Sequence, residues 1–204
     1  MKIIDNINST VKDDLIGCLK KGSKVQIAAA CFSMYAYKEL KKQFESIDHL
    51  DFLFTSPTFI KQKAEKEKRE FYIPRLTRES SLYGTEFEIK LKNEMNLKAI
   101  AKECADWIKD KVTFKSNTTN ENMTGFMIID NGAEQLSYMP INGFTTVDLG
   151  CERGNNSYYM VNCMEAPFST QYMQLFNNLW NDKSKLQDVT DEVIETISTV
   201  YNEN

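Results

Sequence analysis

Few residues in this sequence could carry covalent chemistry. The 204 residues include one histidine, His49, and five cysteines, at positions 18, 31, 104, 151 and 163, which are scattered and never spaced C-x-x-C. Zinc sites and disulfide frameworks use cysteines at short, regular spacings, so these five predict reduced and mostly buried thiols, and no metal ligands are predicted. His49 lies between Asp48 and Leu50 with no lysine at a useful spacing, which indicates a surface or strand-edge role.

A patterned stretch runs from Met123 to Gly150. Residues 126–129 form a short apolar run that ends at Asp130, and Asn131-Gly132 is a turn of the hairpin kind. A second strand-like piece at 135–139 leads through the loop P-I-N-G at 140–143 into F-T-T-V-D-L-G at 144–150. The pattern predicts a strand, a tight turn, a strand, a loop and a short helix.

This layout resembles a half-site of the phospholipase D-like family. In that family the first strand carries H-x-K-x-x-x-x-D, and the loop carries G-S-x-N before a short F-T-x-x-x-L-G helix. Asp130, Phe144, Thr145, Leu149 and Gly150 stand at matching positions. The resemblance implies phosphodiester cleavage with one histidine as nucleophile and a second as general acid, while lysine and asparagine neutralise the phosphoryl charge.

The catalytic residues of the motif are replaced in this chain. Met123 stands at the histidine position, Gly125 at the lysine position, and P-I-N-G, which contains Asn142, replaces G-S-x-N. A thioether cannot attack phosphorus and a glycine carries no charge, so no catalytic residue is predicted. Met123, Gly125, Asp130 and Asn142 are predicted to form a vestigial site. The alternative is an ordinary β-hairpin with a chance resemblance, because short motifs often match by chance.

Apolar periodicity predicts one α/β domain over residues 1–204. The expected fold is phospholipase D-like, with a mixed central β-sheet flanked by helices and built from strands at 25–32, 50–54, 126–129 and 135–139. Further strands are expected at 112–114 and 158–163. Helices are expected after the caps Thr10, Ser33, Ser169 and Thr190, and over residues 97–111.

The charge is unevenly distributed, which identifies candidate nucleic-acid contacts. Residues 61–115 hold 14 Lys and Arg against 10 Asp and Glu, whereas residues 121–204 hold 3 against 12. We expect a basic insertion at about 57–96, with weak, salt-dependent binding to DNA. The other interpretation is that these charged residues form ordinary solvent-exposed surface with no binding role. The candidate contacts are Arg75, Arg78, Lys90, Lys92 and Lys115, with Asn117 and Asn142 as polar helpers.

The chain as a whole resembles the N-terminal region of bacterial Swi/Snf-type helicases that carry a phospholipase D-like domain ahead of a superfamily-two motor. The resemblance is carried by FTSPTFI (54–60), KREFYIPRLTRESSLYGTEFEIKLKN (68–93), IAKECADWI (100–108), FTTVDLG (144–150) and LQDVTDEVIETISTVYNEN (186–204). It implies that helices at about 169–204 lead to a motor. ATP and magnesium are expected only there, because this chain has no G-x-x-x-x-G-K loop.

Three functions remain open from the sequence. The first is a catalytically silent accessory domain that helps a DNA helicase engage nucleic acid or a partner. The others are a purely structural docking module and a divergent phosphodiesterase or nuclease. No signal or membrane segment is found, and a cytoplasmic location is expected. Because only one half-site is visible, a homodimer is also expected, with Asp130 and Asn142 near its axis and Phe144, Leu149 and Tyr158 as apolar contacts.

Overall fold

The computed structural model describes residues 1–60 and 94–202, with side chains in the second range from residue 97 onward. Within these ranges, eight strands form a single sheet. The strands are β1 (Lys2–Ile4), β2 (Lys24–Ala29), β3 (His49–Phe54), β4 (Val112–Asn117), β5 (Phe126–Asp130), β6 (Gln135–Met139), β7 (Val161–Glu165) and β8 (Leu186–Asp188).

Six helices accompany the sheet in the described ranges. They are α1 (Val11–Cys18), α2 (Met34–Glu39), α3 (Lys41–Phe44), α4 (Glu94–Lys111), α5 (Phe168–Trp180) and α6 (Thr190–Asn202). The expected mixed α/β architecture is therefore confirmed. No helix of the described ranges has the length and apolar character that crossing a membrane requires.

The sheet has the order β1-β7-β6-β5-β2-β3-β4-β8 and contains both strand directions. β2, β3 and β4 run parallel, with Val25 opposite Leu50 and Phe52 opposite Phe114. All other pairs are antiparallel, including β2 with β5 and the hairpin of β5 with β6. β2 is thus central, as its nearly continuous apolar sequence predicts for a strand covered on both faces.

One face of the sheet carries the larger core. Alternate residues of β2 and β3 point to this face and pack against α1, α2, α4 and α6. Aromatic rings fill its centre: the Phe32 ring lies 5.3 Å from that of Phe114 and 5.8 Å from that of Phe144. The Trp107 indole N–H donates to the Phe44 carbonyl at 2.9 Å, which leaves the polar end of this buried ring satisfied.

The opposite face is covered mainly by α5. Phe176 of α5 packs on Ala28, Leu53, Phe126 and Ile128, the residues that alternate with those of the larger core. The predicted helix after residue 169 is present, but it begins at Phe168, and Ser169 lies inside it rather than at its cap. The Ser169 hydroxyl donates instead to the Gln135 carbonyl at 2.9 Å and so ties α5 to β6.

The caps of the first two predicted helices are confirmed. The Thr10 side chain accepts the N–H of Asp13, and the Ser33 side chain accepts the N–H of Tyr35. The strand predicted over 25–32 ends at Ala29, and the one predicted over 158–163 begins at Val161. The two edge strands β1 and β8 were not predicted, because runs of three residues show no periodicity.

Two predictions about residues 144–149 are wrong. In place of the short helix expected there, the segment forms overlapping turns, in which the Leu149 N–H donates to the Thr145 carbonyl at 3.0 Å and the Gly150 N–H donates to the Val147 carbonyl at 3.0 Å. Phe144 and Leu149 are each only 1% exposed, so neither can be an apolar contact of a homodimer. Tyr158, the third candidate, is 75% exposed. Burial follows from the Phe32–Phe144 contact, which draws this turn into the core.

Candidate functional site

The strand directions bring several loops to one edge of the sheet, which we call the carboxyl edge. It comprises residues 30–33 after β2, 55–60 after β3 and 118–121 after β4. Because β5 and β6 are antiparallel to each other and β5 is antiparallel to β2, residues 123–125 before β5 and 140–143 after β6 lie at the same edge. Ligands of α/β proteins commonly bind at the carboxyl ends of parallel strands, so this edge is the first candidate site.

Backbone hydrogen bonds join the loop after β6 to the end of β2. The Ala30 N–H donates to the Asn142 carbonyl at 2.8 Å, and the Phe144 N–H donates to the Cys31 carbonyl at 2.8 Å. The Ser33 N–H in turn donates to the Phe144 carbonyl at 2.9 Å. This pairing fixes the loop after β6 against the end of β2.

Gly125 occupies a position with no room for a side chain. A Cβ there would lie 1.7 Å from the carbonyl oxygen of Ile141 and 3.0 Å from that of Ala28. Both neighbours are backbone atoms, and the Ile141 N–H donates to the Gly125 carbonyl at 2.9 Å. A lysine, which the phospholipase D-like motif has at this position, cannot be accommodated on this backbone.

The other vestigial positions divide between the two ends of β5. Met123 is partly buried against the smaller core under α5, and Asn142 is exposed beside Gly125. Asp130 ends β5 and accepts the N–H of Gly132 at 3.0 Å in the hairpin turn. Asp130 lies five positions after Gly125 along an extended strand, a span of about 17 Å. The structure therefore brings Met123, Gly125 and Asn142 to the carboxyl edge and places Asp130 at the other end.

Asp148 forms a buried polar cluster behind the carboxyl edge. Its carboxylate accepts the Thr145 hydroxyl at 2.6 Å, the Thr145 N–H at 3.2 Å and the Tyr159 hydroxyl at 3.3 Å. Burial raises the pKa of Asp148, while hydrogen bonds from Thr145, Gly143 and Tyr159 oppose the rise. A Cβ on Gly143 would lie 2.7 Å from the Cys31 sulfur and 3.0 Å from this carboxylate, so the loop packs tightly here.

Asn117 does not face solvent as a polar helper would. It is 1% exposed, and its side-chain N–H groups donate to the carbonyls of Thr55, at 2.9 Å, and Glu121, at 3.0 Å. Its side-chain oxygen accepts the N–H of Thr119 at 2.8 Å and the hydroxyl of the same residue at 2.7 Å. All its hydrogen-bonding groups are used inside the protein, so the structure assigns Asn117 to holding the carboxyl-edge loops together.

Lys115, a predicted DNA contact, is used to attach α5. Its ammonium group donates to the Trp180 carbonyl at 2.9 Å and lies 4.6 Å from the centre of the Trp180 ring. A cation over an aromatic face contributes to stability, and it is less available to a phosphate. Arg75, Arg78, Lys90 and Lys92 lie outside the described residues, and their predicted role stays a prediction.

His49, the one histidine of the sequence, lies at the opposite edge of the sheet. It is the first residue of β3, whereas the carboxyl edge begins after Phe54 at the end of the same strand. The His49 Nε2 atom lies 2.8 Å from an Asp51 carboxylate oxygen and 3.3 Å from the Thr113 hydroxyl. Burial raises the pKa of Asp51, and the charge and hydrogen bond of His49 act against that rise. His49 is thus remote from Met123, Gly125 and Asn142 and lies at the same end of the sheet as Asp130.

The carboxyl edge therefore presents an amide, a thioether and a thiol in a tightly hydrogen-bonded frame. In the described part of the chain this edge holds no histidine. The Ile141 carbonyl leaves no room for a side chain at Gly125, the position of the motif lysine. No group of three or more His, Cys, Asp or Glu side chains placed for a metal ion is found among the residues described.

The fold and this edge define a mixed α/β protein with an eight-stranded sheet in its described part. No model of a known protein family matches the chain, and no curated protein matches it either.

Sequence reasoning did not identify Cys31, Asp148 or Tyr159 as residues of this region. Asp148 lies within the quoted run F-T-T-V-D-L-G and could have been noted as its only charged residue. Cys31 and Tyr159 join the region through tertiary contacts with Gly143 and Asp148, for which the sequence contains no local signal.

Proposed function

We propose that this chain is a catalytically silent, phospholipase D-like accessory domain of an ATP-dependent DNA helicase, which helps the motor engage nucleic acid or a partner. The proposal rests on the sequence resemblance together with one structural observation. The position of the motif lysine, Gly125, is closed by the Ile141 carbonyl, 1.7 Å from where a Cβ would lie. A binding role without phosphodiester chemistry is the function that this geometry supports best.

The arrangement of strands is in keeping with the proposed relationship. The motif-bearing strand β5 lies next to the central strand β2, and the loop that replaces G-S-x-N lies beside the residues that replace histidine and lysine. A phospholipase D-like active site requires those three parts at one edge. A protein that kept this backbone but lost its catalytic activity would have these three parts without the reactive side chains.

A hydrolysis assay tests the catalytic half of the proposal. The full chain is incubated with bis(p-nitrophenyl) phosphate, with and without a chelator, beside a His49→Ala variant. We expect no release of p-nitrophenol above the buffer rate from either protein. Hydrolysis by the wild-type chain that disappears in His49→Ala would overturn catalytic silence.

A salt titration tests the binding half. Fluorescence anisotropy of a labelled duplex is measured with the wild-type chain, with an Arg75→Glu and Arg78→Glu double variant, and with Lys183→Glu as a matched exposed control. We expect weak binding whose log–log salt dependence has a slope of about −0.9 for each phosphate contact. The double variant should lose most affinity and the control little. Equal affinity for all three proteins would contradict the DNA-binding role.

A purely protein-docking role is the second candidate, and one observation favours it. Of the predicted contacts that the structure describes, Asn117 is buried and Lys115 is held by Trp180, which leaves Asn142 as the exposed one. The proposed homodimer is tested separately by sedimentation at micromolar concentration. A single species near 23.6 kDa would exclude the dimer.

A further inference from the structure

A cavity of about 320 Å³ lies outside the carboxyl edge, between the loop after β1 and the segment that leads into β7. We call it the N-terminal cavity. Its walls include Asp5 and Ile7 from the first loop, and Glu152, Arg153 and the neighbouring tyrosines Tyr158 and Tyr159 from the second segment. Neither the vestigial site nor the proposed helicase role uses this cavity.

The inner wall of the N-terminal cavity is held by hydrogen bonds. The Asn6 side chain donates to the Asp148 carbonyl at 3.0 Å and accepts the Val11 N–H at 2.9 Å. Asn6 and Gly150 both adopt positive φ, at 58° and 84°, and a Cβ on Gly150 would lie 2.7 Å from the Asn6 side-chain oxygen. Two distant segments are thus joined before any ligand arrives, which lowers the ordering cost of binding.

The charged groups of this cavity are predominantly negative. Asp5 accepts the backbone N–H groups of Ile7, Asn8 and Ser9, and these hydrogen bonds lower the pKa of Asp5 to about 2. Glu152 accepts the Thr146 hydroxyl at 3.1 Å, which orients its carboxylate. Arg153 is the one basic residue among the described residues that line the cavity. Two carboxylates against one guanidinium favour a cationic ligand group.

An apolar rim borders the N-terminal cavity. Ile7 and Tyr158 are each 75% exposed, and Met160 is 55% exposed next to the start of β7. Exposed aromatic and methionine side chains around a pocket are typical of protein interfaces. The rim adjoins β1, which is an edge strand of the sheet because it pairs only with β7 in the described order. An open strand edge can pair with an extended peptide.

We propose that the N-terminal cavity and the free edge of β1 form a docking site for an extended segment of a protein partner, which places an arginine or lysine side chain between Tyr158 and the carboxylates of Asp5 and Glu152. Apolar residues on either side of that basic residue pack on Ile7 and Met160. The occupant is basic because the lining has two carboxylates, those of Asp5 and Glu152, against the single guanidinium of Arg153. This inference is independent of the proposed helicase role.

Fluorescence anisotropy with defined peptides tests the inference on the full chain. The probe is a labelled, capped nonapeptide with a central arginine among alternating valines and serines, and the comparison peptide has glutamate in its place. We expect the arginine peptide to bind and the glutamate peptide to bind at least tenfold more weakly. Glu152→Gln and Tyr158→Ala should each weaken the arginine peptide roughly threefold to fivefold, as losses of one ionic and one cation–π contact do.

Two further variants make the test specific. Arg153→Gln should strengthen binding of the arginine peptide, because it removes the like charge in the lining. Phe168→Ala, which truncates an exposed aromatic residue on α5 away from the cavity, should leave binding unchanged. The inference is overturned if the glutamate peptide binds more tightly than the arginine peptide, or if Arg153→Gln weakens binding of the arginine peptide. It is also overturned if the Glu152 and Tyr158 variants bind the arginine peptide as tightly as the wild type does. Finally, it is overturned if the arginine peptide does not bind at concentrations of the full chain that would saturate a site with a millimolar dissociation constant.

Discussion

Replacing Gly125 by alanine is the sharpest test of why this position excludes a side chain. The added Cβ would begin 1.7 Å from the Ile141 carbonyl oxygen, and side-chain carbons are essentially never found closer than 3.0 Å to such an atom. The Ile141 segment must therefore move away from β5, and the hydrogen bond from the Ile141 N–H to the Gly125 carbonyl, now 2.9 Å, is lost or lengthened.

The expected cost combines two effects. Overpacking a rigid site costs about 1–3 kcal/mol, and losing one backbone hydrogen bond costs about 1 kcal/mol. We expect Gly125→Ala to lower the free energy of unfolding by about 2–4 kcal/mol. With a urea m-value of about 2–3 kcal/mol per molar for a domain of this size, the midpoint should fall by roughly 1–2 M.

A matched glycine in the same chain supplies the control. Gly17 lies inside α1, and a Cβ there would meet nothing within 4 Å. Gly17→Ala should raise stability by about 0.5–1 kcal/mol, because alanine loses less conformational freedom than glycine in a helix. Urea unfolding followed by far-UV circular dichroism measures both variants. If Gly125→Ala unfolds at the wild-type midpoint, the steric account of the closed lysine position is wrong.

Three other predictions address residues that the structure places in unexpected roles. Tyr138→Phe should lower the free energy of unfolding by about 1.5–3 kcal/mol, because the Tyr138 hydroxyl donates to the Asp14 carboxylate at 2.5 Å. A urea midpoint equal to that of the wild type would refute a stabilising role of this hydrogen bond. Lys115→Met should destabilise the chain by about 0.5–1 kcal/mol and leave DNA affinity nearly unchanged, and a large loss of affinity at wild-type stability would restore Lys115 as a DNA contact. Because the pKa of Asp148 is raised in the folded state, its contribution to stability is present at low pH and is lost as pH rises from about 3.8 through the raised value. Asp148→Asn should therefore gain stability relative to wild type as pH increases over that window, and a difference that does not vary with pH would contradict the assignment.

Local sequence patterns predicted most of the secondary structure because each pattern depends on neighbouring residues. The apolar run after Val25 predicts a covered strand, and β2 is the central strand of the sheet. Thr10 and Ser33 cap their helices through bonds to residues two or three positions away, which a sequence displays directly. The hairpin between β5 and β6 follows from Asn131-Gly132, where Gly132 adopts φ of 87°.

The errors arise where distant contacts override a local pattern. Residues 144–149 have the composition of a short helix, but Phe144 pairs with Cys31 and Ser33, and the residues after it form overlapping turns. Asn117 and Lys115 have the residue types of a nucleic-acid surface, yet Thr55 and Trp180, 62 and 65 residues away, use their polar groups. Such assignments depend on which side chains meet after folding.

The sequence by itself determined the mixed α/β class, the hairpin of β5 and β6 and the absence of a second histidine, because composition and short-range periodicity are sufficient for each. Only the tertiary structure decided that Gly125 is closed by the Ile141 carbonyl, that His49 and Gly125 lie at opposite edges of the sheet, and that residues 5–7 and 150–159 enclose a cavity. The physical reason is that strand order and direction bring together residues separated by more than a hundred positions, and no local pattern encodes that arrangement.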